Sequence, residues 1–122
     1  MEQTRHDAFD AACPAREVYN RISDKWVGLI LVGLADGPRH YSDLQRTIVG
    51  VSQKMLTQTL RNLERDGLVV RAVSTRRPVR VSYSLTPLGA DLLPIMRTLK
   101  RWAEDHIGRV HAARAEYDKS AP

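Results

Sequence analysis

The feature that most limits the fold of this chain is the spacing of three glycines that follow helical segments. Gly37, Gly50 and Gly67 each end a stretch with helical periodicity, so three helices succeed one another with only short turns between them. A residue of a type that caps helices precedes each stretch, and these expected caps are Asp24, Ser42 and Ser52. The spacing predicts a three-helix core over residues 24–66 whose later helices form a helix-turn-helix.

Other patterns flank this core. Pro14 after Cys13 indicates an N-terminal helix over residues 13–23, because proline is favoured at the first helical position. Residues 68–85 have the pattern of two strands joined by a basic turn, and the second strand alternates polar with apolar residues. Its buried face is expected to hold Val79, Val81, Tyr83 and Leu85. A long helix is predicted over residues 86–117, opened by a threonine cap and another proline.

Together these elements predict a mainly α-helical fold with a small β-hairpin, a winged helix-turn-helix of the α+β class. The chain has 122 residues, which is the usual size of one domain. We therefore expect residues 1–122 to form a single domain, with residues 1–12 as a flexible N-terminal arm. The terminal helices are expected to mediate dimerisation.

Positive charge is concentrated in the middle of the chain. Residues 39–80 contain nine basic and three acidic side chains, a local net charge of +6, whereas the whole chain carries +5. The remainder therefore has a net charge of −1. A basic segment within a nearly neutral chain is typical of a surface that binds a polyanion, most often a nucleic acid.

The third helix of the core has two different faces. Drawn at 100° per residue, one face is apolar and holds Met55, Leu56, Thr59, Leu60 and Leu63. The opposite face is polar and nearly free of carboxylates, and holds Lys54, Thr57, Gln58, Arg61 and Arg65. Such side chains donate hydrogen bonds to phosphates and to base edges in the major groove. An amphipathic helix with a solvated face is the alternative, but the preceding short helices and the basic hairpin favour double-stranded DNA.

Twelve residues are predicted to contact that DNA. Base edges are assigned to Gln53, Thr57, Gln58 and Arg61. Phosphates are assigned to Tyr41, Ser42, Lys54, Arg65 and Arg80, and Ser52 caps the helix beside them. The hairpin tip, with Arg76 and Arg77, is expected to rest on the backbone or enter the flanking minor groove.

Several motifs together resemble one family, the HxlR-type branch of the MarR-like winged-helix regulators. The motifs are Cys13-Pro14, Asp24-Lys25-Trp26, Gly37, Ser42-Asp43-Leu44, residues 51–57, residues 63–71, residues 81–89 and Trp102. The resemblance implies a bacterial, dimeric transcriptional regulator that binds a palindromic operator, as repressor or activator. Two positions depart from the family pattern: His40-Tyr41 stands where Arg-Phe is more frequent, and Ser23-Asp24 where a Gly-Gly pair is usual.

The last helix carries an apolar stripe that is longer than a domain of this size can cover. Its residues are predicted to form the dimer interface, and they are Leu92, Met96, Leu99, Trp102, Ala103, His106 and Val110. A stripe of this length is normally buried against a partner, most simply a second copy related by a two-fold axis. We expect its first half to pack on its own domain and the rest, with the N-terminal helix, to pack on the partner.

Cys13 is the candidate sensor. It precedes the first turn of a helix, where the helix dipole favours an anion, and His6 and Arg16 are close in sequence. The family resemblance implies that a cysteine at this position senses oxidants or electrophiles in some members. A small buried side chain is the alternative. A small-molecule effector is a second candidate partner, with Tyr19, Trp26 and Trp102 as candidate lining of a pocket between the dimer helices.

Other functions have less support in the sequence. The longest apolar run, residues 27–35, is far too short for a membrane span, so we expect no membrane partner and a cytoplasmic location. No cofactor, metal site or catalytic residue is expected, because the four histidines are dispersed and no phosphate-binding glycine loop is present. We expect no enzymatic activity; a thiol enzyme using Cys13 is one alternative. A winged-helix module that binds protein is the other alternative.

Overall fold

The computed structural model describes residues 6–121, which form five helices and three short strands. The helices are α1 (Pro14–Ile22), α2 (Val27–Gly33), α3 (Tyr41–Thr47), α4 (Gln53–Arg65) and α5 (Pro87–Ser120). The strands are β1 (Arg39–His40), β2 (Val69–Val73) and β3 (Val81–Leu85). Within the described residues, no helix is both long enough and apolar enough to cross a membrane.

The strands form one antiparallel sheet in the order β1-β3-β2. The hairpin of β2 and β3 pairs Val69 with Leu85 at its base and Val73 with Val81 near its tip. Strand β1 adds two residues to the other edge of β3, with Arg39 opposite Tyr83. The sequence did not predict β1, because a two-residue strand has no periodicity to detect. Three helices followed by this hairpin make the predicted winged helix-turn-helix, and the fold class is confirmed.

One hydrophobic core joins these elements. Side chains from α2, α3, α4, the sheet and the first half of α5 contribute to it, and Ile30, Leu31, Leu44, Leu56, Leu60 and Leu63 are completely buried. Helix α1 contributes no buried residue. A hydrogen-bonded ion pair attaches its end to the end of α4, with 2.8 Å between Arg21 Nε and Asp66 Oδ2.

The connection from α4 to α5 is tight. Gly67 has φ of 77°, a left-handed conformation that ends α4 at low cost for glycine. The hydroxyl of Thr86, the residue that caps α5, donates to the carbonyl of Gly67 at 2.6 Å and accepts from the amide of Gly89 at 3.0 Å. A Cβ added at Gly89 would lie 2.1 Å from the carbonyl oxygen of Leu68, so only glycine fits there. The wing, which is the hairpin of β2 and β3 with its turn (residues 69–85), and α5 are thus held at a fixed position relative to α4.

Two predicted helix starts differ from the structure. Helix α2 begins at Val27, and the carboxylate of Asp24 accepts a hydrogen bond from the amide of Trp26 at 3.1 Å, which closes a turn ahead of the helix. Helix α3 begins at Tyr41, so Ser42 lies inside its first turn and does not cap it. The third prediction is confirmed: the Ser52 hydroxyl accepts from the Met55 amide at 3.1 Å and caps α4.

Two predicted buried residues are exposed. Met55 is 40% exposed because it lies about 90° from the centre of the buried stripe of α4, at its edge. Val79 is 65% exposed because β3 starts only at Val81, so Val79 belongs to the turn and not to the alternating strand.

Candidate nucleic-acid interface

Helix α4 presents a polar face because its apolar face is fixed in the core. Leu56, Leu60 and Leu63 are completely buried, and buried Thr59 satisfies its hydroxyl on the Met55 carbonyl at 2.7 Å. The predicted contact residues of this helix that are exposed are Gln53, Lys54, Gln58, Arg61 and Arg65. The structure therefore exposes four of them, Lys54, Gln58, Arg61 and Arg65, on the face that the helical periodicity predicted, and Gln53 is exposed at the first position of the helix.

The start of α4 adds a further donor. The Ser52 hydroxyl accepts from the Met55 amide with an oxygen lone pair, so its own proton remains available. Ser52 is exposed and precedes the amides of the first turn, which lack partners within the helix. Helix N-termini favour anions because of these amides and the helix dipole. Ser52 is suited to bind a phosphate while it caps the helix.

Tyr41 has a different environment from the one that the sequence suggested. Its hydroxyl lies 3.0 Å from the carbonyl oxygen of Gln53 and 2.8 Å from Oγ1 of Thr57. Both partners belong to α4, so Tyr41 links the start of α3 to the first turns of α4. The hydroxyl is engaged inside the protein and is not free for a phosphate as predicted, whereas neighbouring Ser42 is exposed.

The wing tip carries its two arginines in a short hydrogen-bonded turn. Ser74 closes the turn, since its amide donates to the Arg80 carbonyl at 2.8 Å and its hydroxyl accepts from the Arg76 amide at 3.1 Å. Arg76, Arg77 and Arg80 are all exposed. The three guanidinium groups are therefore accessible on the surface of the wing.

Two clefts border the wing, one against α4 and the other against β1 and the start of α3, and Arg71 lines both. One, of about 340 Å³, is bordered by Arg71, Thr57, Arg61, Glu64 and Tyr83. The other, of about 350 Å³, is lined by Arg71, His40, Tyr41, Ser42, Val79, Arg80, Val81 and Tyr83. Arg71 was missed as a site residue, although it had been counted in the basic segment. Arg71 reaches the site because it pairs with Tyr83 in the sheet, and this pairing is known only once the register of the strands is known.

Carboxylates of the described residues form no ion pairs with the cations of this surface. Within residues 6–121, the ion pairs are Arg21–Asp66, Arg46–Asp43, Lys100–Glu104 and Lys119–Glu116. The cations outside these pairs include every basic residue predicted to contact DNA, namely Lys54, Arg61, Arg65, Arg76, Arg77 and Arg80, together with Arg71. An uncompensated positive surface of this kind raises the local concentration of polyanions.

The second half of α5 forms an exposed apolar surface on another side of the molecule. Leu92 and Met96 pack into the core, but no described residue after Met96 is buried. Leu99 is 59% exposed and Trp102 56%, and Ala103, one turn after Leu99, is also exposed, while His106 and Val110 are half-buried. The rings of Trp102 and His106 stack with their centroids 4.5 Å apart.

The N-terminal region is partly ordered by its own hydrogen bonds. Of the predicted arm, residues 1–5 lie outside the described residues, and turns close on Asp7 and Asp10. Arg16 donates to the carbonyls of Ala8 and Phe9 at 2.8 and 2.7 Å, so its charge is directed to the arm. The Cys13 sulfur is half-buried and lies 3.7 Å from Nδ1 of His6.

A third cleft lies between α2 and α5. It has a volume of about 440 Å³ and is lined mainly by apolar side chains, including Leu29, Met96 and Leu99. Tyr19, Trp26 and Trp102, the candidate lining of an effector pocket, are not among its lining residues. Within one chain, the structure does not bring these three aromatic residues together around this cleft.

Comparison with known proteins agrees with this geometry. Residues 21–111 match the model of the HxlR-like helix-turn-helix family. The HTH-type transcriptional regulator YtfH of Escherichia coli is 44% identical over 108 residues, which cover 88% of this chain and 86% of that protein.

Solved structures give the same result. The structure of the transcriptional regulator YtfH from Salmonella typhimurium is 41% identical, covers 91% of this chain and 99% of that one, and has a TM-score of 0.86. The redox regulator HypR in its reduced form is 34% identical, covers 81% of this chain and 98% of that one, and has a TM-score of 0.73. The chain therefore belongs to the HxlR-like helix-turn-helix family and is a transcriptional regulator of the helix-turn-helix type.

Proposed function

We propose that this protein binds a palindromic operator in double-stranded DNA as a homodimer and thereby regulates transcription. The observation that carries the proposal is the outward surface of α4 and the wing, where seven cations lack a carboxylate partner among the described residues. A duplex with one negative charge per about 1.7 Å of its axis is complementary to such a surface. Regulation of this kind takes place on the bacterial chromosome, so we propose a cytoplasmic location.

Each side chain has a task in this proposal. Helix α4 enters the major groove, where the exposed Gln53, Gln58 and Arg61 meet base edges. Phosphates are held by residues at the margins of the helix and on neighbouring elements, namely Ser42, Ser52, Lys54, Arg65 and Arg80. The wing arginines, Arg76 and Arg77, lie on the backbone or in the flanking minor groove.

The dimer is proposed from the exposed apolar surface of α5. A stripe around Leu99 and Trp102 is too large and too apolar to remain in water without a partner. Helix α1 exposes Val18 (56%) and Tyr19 (62%) and has no buried residue, so it joins the same interface. A two-fold axis through this interface would place two copies of α4 in successive major grooves, about 34 Å apart.

Cys13 is proposed as an oxidant-responsive switch. Its sulfur lies 3.7 Å from an imidazole nitrogen, and the chain is similar to the redox regulator HypR. With diamide as oxidant, two Cys13 thiols, one from each protomer, lose two electrons and two protons and form one disulfide, while the diazene becomes a hydrazine. A mixed disulfide with a small thiol follows the same balance. Either product changes how α1 packs in the dimer.

The protein is proposed to act by binding and not as an enzyme. A thiol enzyme would need a group that orients the histidine beside its nucleophile. Within the described part of the chain, the ring of His6 has a hydrogen-bond contact with Cys13 alone. A winged-helix module that binds protein would not need the uncompensated cations.

The decisive experiment is a binding titration on DNA. Footprinting on the duplex that flanks the protein's own gene should give a protected palindrome. A titration should then show that this site binds at least 1,000-fold more tightly than a scrambled duplex. Binding that is equally weak on both duplexes at low salt would contradict sequence-specific regulation.

The redox part has its own test. Diamide should lower the operator affinity of the wild type by more than about tenfold and leave Cys13→Ser unchanged, since the serine hydroxyl forms no disulfide. Identical responses of the two proteins would remove the thiol from the mechanism. Dithiothreitol should restore binding of the oxidised wild type.

A further inference from the structure

Tyr41 connects two helices through a single hydroxyl group. Its oxygen lies 3.0 Å from the carbonyl oxygen of Gln53 and 2.8 Å from Oγ1 of Thr57. Tyr41 and Thr57 are both half-buried, while Gln53 is exposed at the start of α4. The contact with Thr57 is therefore part-buried, in an environment where hydrogen bonds are stronger than in water and unpaired groups are costly. The contact with the Gln53 carbonyl is exposed.

The number of protons fixes the direction of both hydrogen bonds. A phenol has one proton, and a backbone carbonyl can only accept. Tyr41 must therefore donate to the Gln53 carbonyl. Oγ1 of Thr57 then has to donate its own proton to the Tyr41 oxygen, because the phenol has no second proton to give. The hydroxyl proton of Thr57 is thus used inside the protein.

Thr57 nevertheless belongs to the outward surface of α4. It lines the cleft that also contains Arg61 and Arg71, one turn away from each of the exposed residues Gln53 and Arg61. With its proton engaged, Thr57 presents only an oxygen lone pair and a methyl group to a ligand. Tyr41 has therefore removed one donor from the surface that meets DNA.

We propose that Tyr41 is a positioning residue that makes Thr57 an acceptor-only contact in base recognition. The proposal rests on the proposed function, and it specifies which bases are favoured at the DNA position that faces Thr57. An acceptor with a methyl group fits adenine N6, cytosine N4 or the thymine methyl. It disfavours guanine, which presents only acceptors, N7 and O6, in the major groove.

Without the Tyr41 hydroxyl, this restriction is relaxed. In Tyr41→Phe the Thr57 hydroxyl can turn either to the Gln53 carbonyl, four residues earlier in the helix, or outward to a base. A guanine at the DNA position that faces Thr57 can then accept a hydrogen bond from the Thr57 hydroxyl. The carbonyl already accepts a helical amide bond, so little is lost when the hydroxyl turns away.

The experiment is a selection from a random duplex library, followed by titration of every single-base variant of the selected half-site. Wild type, Tyr41→Phe, Thr57→Val and the double variant are compared. In wild type, the position that responds to Thr57→Val should select against guanine. Tyr41→Phe should reduce that selection by about 3–10-fold, as expected for one hydrogen bond, and leave the other positions unchanged.

The double variant tests whether Tyr41 acts through the hydroxyl of Thr57. Because Thr57→Val has no hydroxyl, Tyr41→Phe should have no further effect on base preference in that background. A change that persists there, or an unchanged preference in Tyr41→Phe, would overturn the proposal, as would a wild-type preference for guanine at this position. Tyr117→Phe, which removes an exposed phenol at the far end of α5, is the matched control and should bind as wild type.

Failure of the proposed function would be seen separately. If wild type enriches no sequence from the library, the regulator proposal fails before any variant is compared. If wild type enriches a palindrome and Tyr41→Phe selects the same bases with the same ratios, only the role of Tyr41 is overturned. Far-ultraviolet circular dichroism of each variant should match wild type, since none of the substitutions changes the helical pattern.

Discussion

Helix α4 and the second half of α5 are both amphipathic, yet their exposed faces are opposite in character. Helix α4 buries leucines in the core and exposes amides and cations. Helix α5 packs Leu92 and Met96 and then, beyond them, exposes Leu99 and Trp102. A polar cationic face is stable in water and recognises a polyanion, whereas an apolar face is stable only when another protein surface covers it. The comparison supports the proposal that DNA binds to one helix and that a second protomer covers the other.

The largest change in free energy is expected for a substitution on the buried side of α4. Leu60→Ala should lower the free energy of unfolding by about 3 kcal/mol, because it removes a completely buried side chain and leaves a cavity. Met55→Ala, at the 40% exposed edge of the same helix, should cost less than about 1 kcal/mol. Urea denaturation measures both. Equal costs would show that the two faces of α4 are not distinct.

A substitution on the exposed apolar side of α5 should weaken the association of two protomers. Trp102→Ala should weaken the dimer by about 2 kcal/mol, roughly 30-fold in the dissociation constant, because a large aromatic contact is lost. Arg101→Ala, on the opposite side of the helix, should have little effect. Sedimentation equilibrium measures both constants. A monomeric wild type, or a Trp102 variant as dimeric as wild type, would contradict the role given to this face.

In the cationic surface, substitutions of Arg61 in α4 and of Arg77 in the wing should change DNA binding in different ways. Arg61→Ala should reduce discrimination between the operator and a scrambled duplex by about 2 kcal/mol, because a base contact is lost. Arg77→Ala should weaken both duplexes alike and reduce the slope of log affinity against log salt by about 1. Titrations at several salt concentrations separate these outcomes. Equal losses for the two variants would show that the division of roles is wrong.

The smallest effect is expected for Arg71, which the sequence did not single out. Arg71→Gln removes a charge from both clefts of the wing and should cost about 1 kcal/mol on any duplex, with a salt slope lower by about 1. Arg114→Gln, on the exposed end of α5, is the matched control for net charge and should bind nearly as wild type. An Arg71 variant that binds like this control would exclude Arg71 from the interface.

Much of the fold was predictable because its signals are local. Gly67 ends α4 as predicted, with a positive φ, and α4 has the predicted cap and buried leucines. Helices α2 and α3 end earlier than predicted, at Gly33 and Thr47, so Gly37 and Gly50 lie in the turns that follow. The errors at Asp24 and Ser42 have one cause: a capping residue type also stabilises turns or lies in the first turn of a helix, and its neighbours decide which. Residue type alone could not separate these cases.

The candidate site was predictable only in part. Periodicity assigned the exposed residues of α4, since their direction follows from the buried ones. The link from Tyr41 to Thr57 and the position of Arg71 were not predictable, because each depends on how distant segments meet. Tyr41 and Thr57 are 16 residues apart in sequence and come within 2.8 Å only when α3 packs on α4.

The sequence by itself determined the order of the helices and of the β2–β3 hairpin, the approximate bounds of most helices, the segregation of charge and the two faces of α4. These properties depend on neighbours within a few residues, through backbone conformation and helical periodicity. Only the tertiary structure decided which hydroxyls are engaged, which cations remain unpaired and how much of the apolar stripe of α5 the chain itself can cover. Those properties depend on distances between elements, which the packing of the core fixes and no local pattern contains.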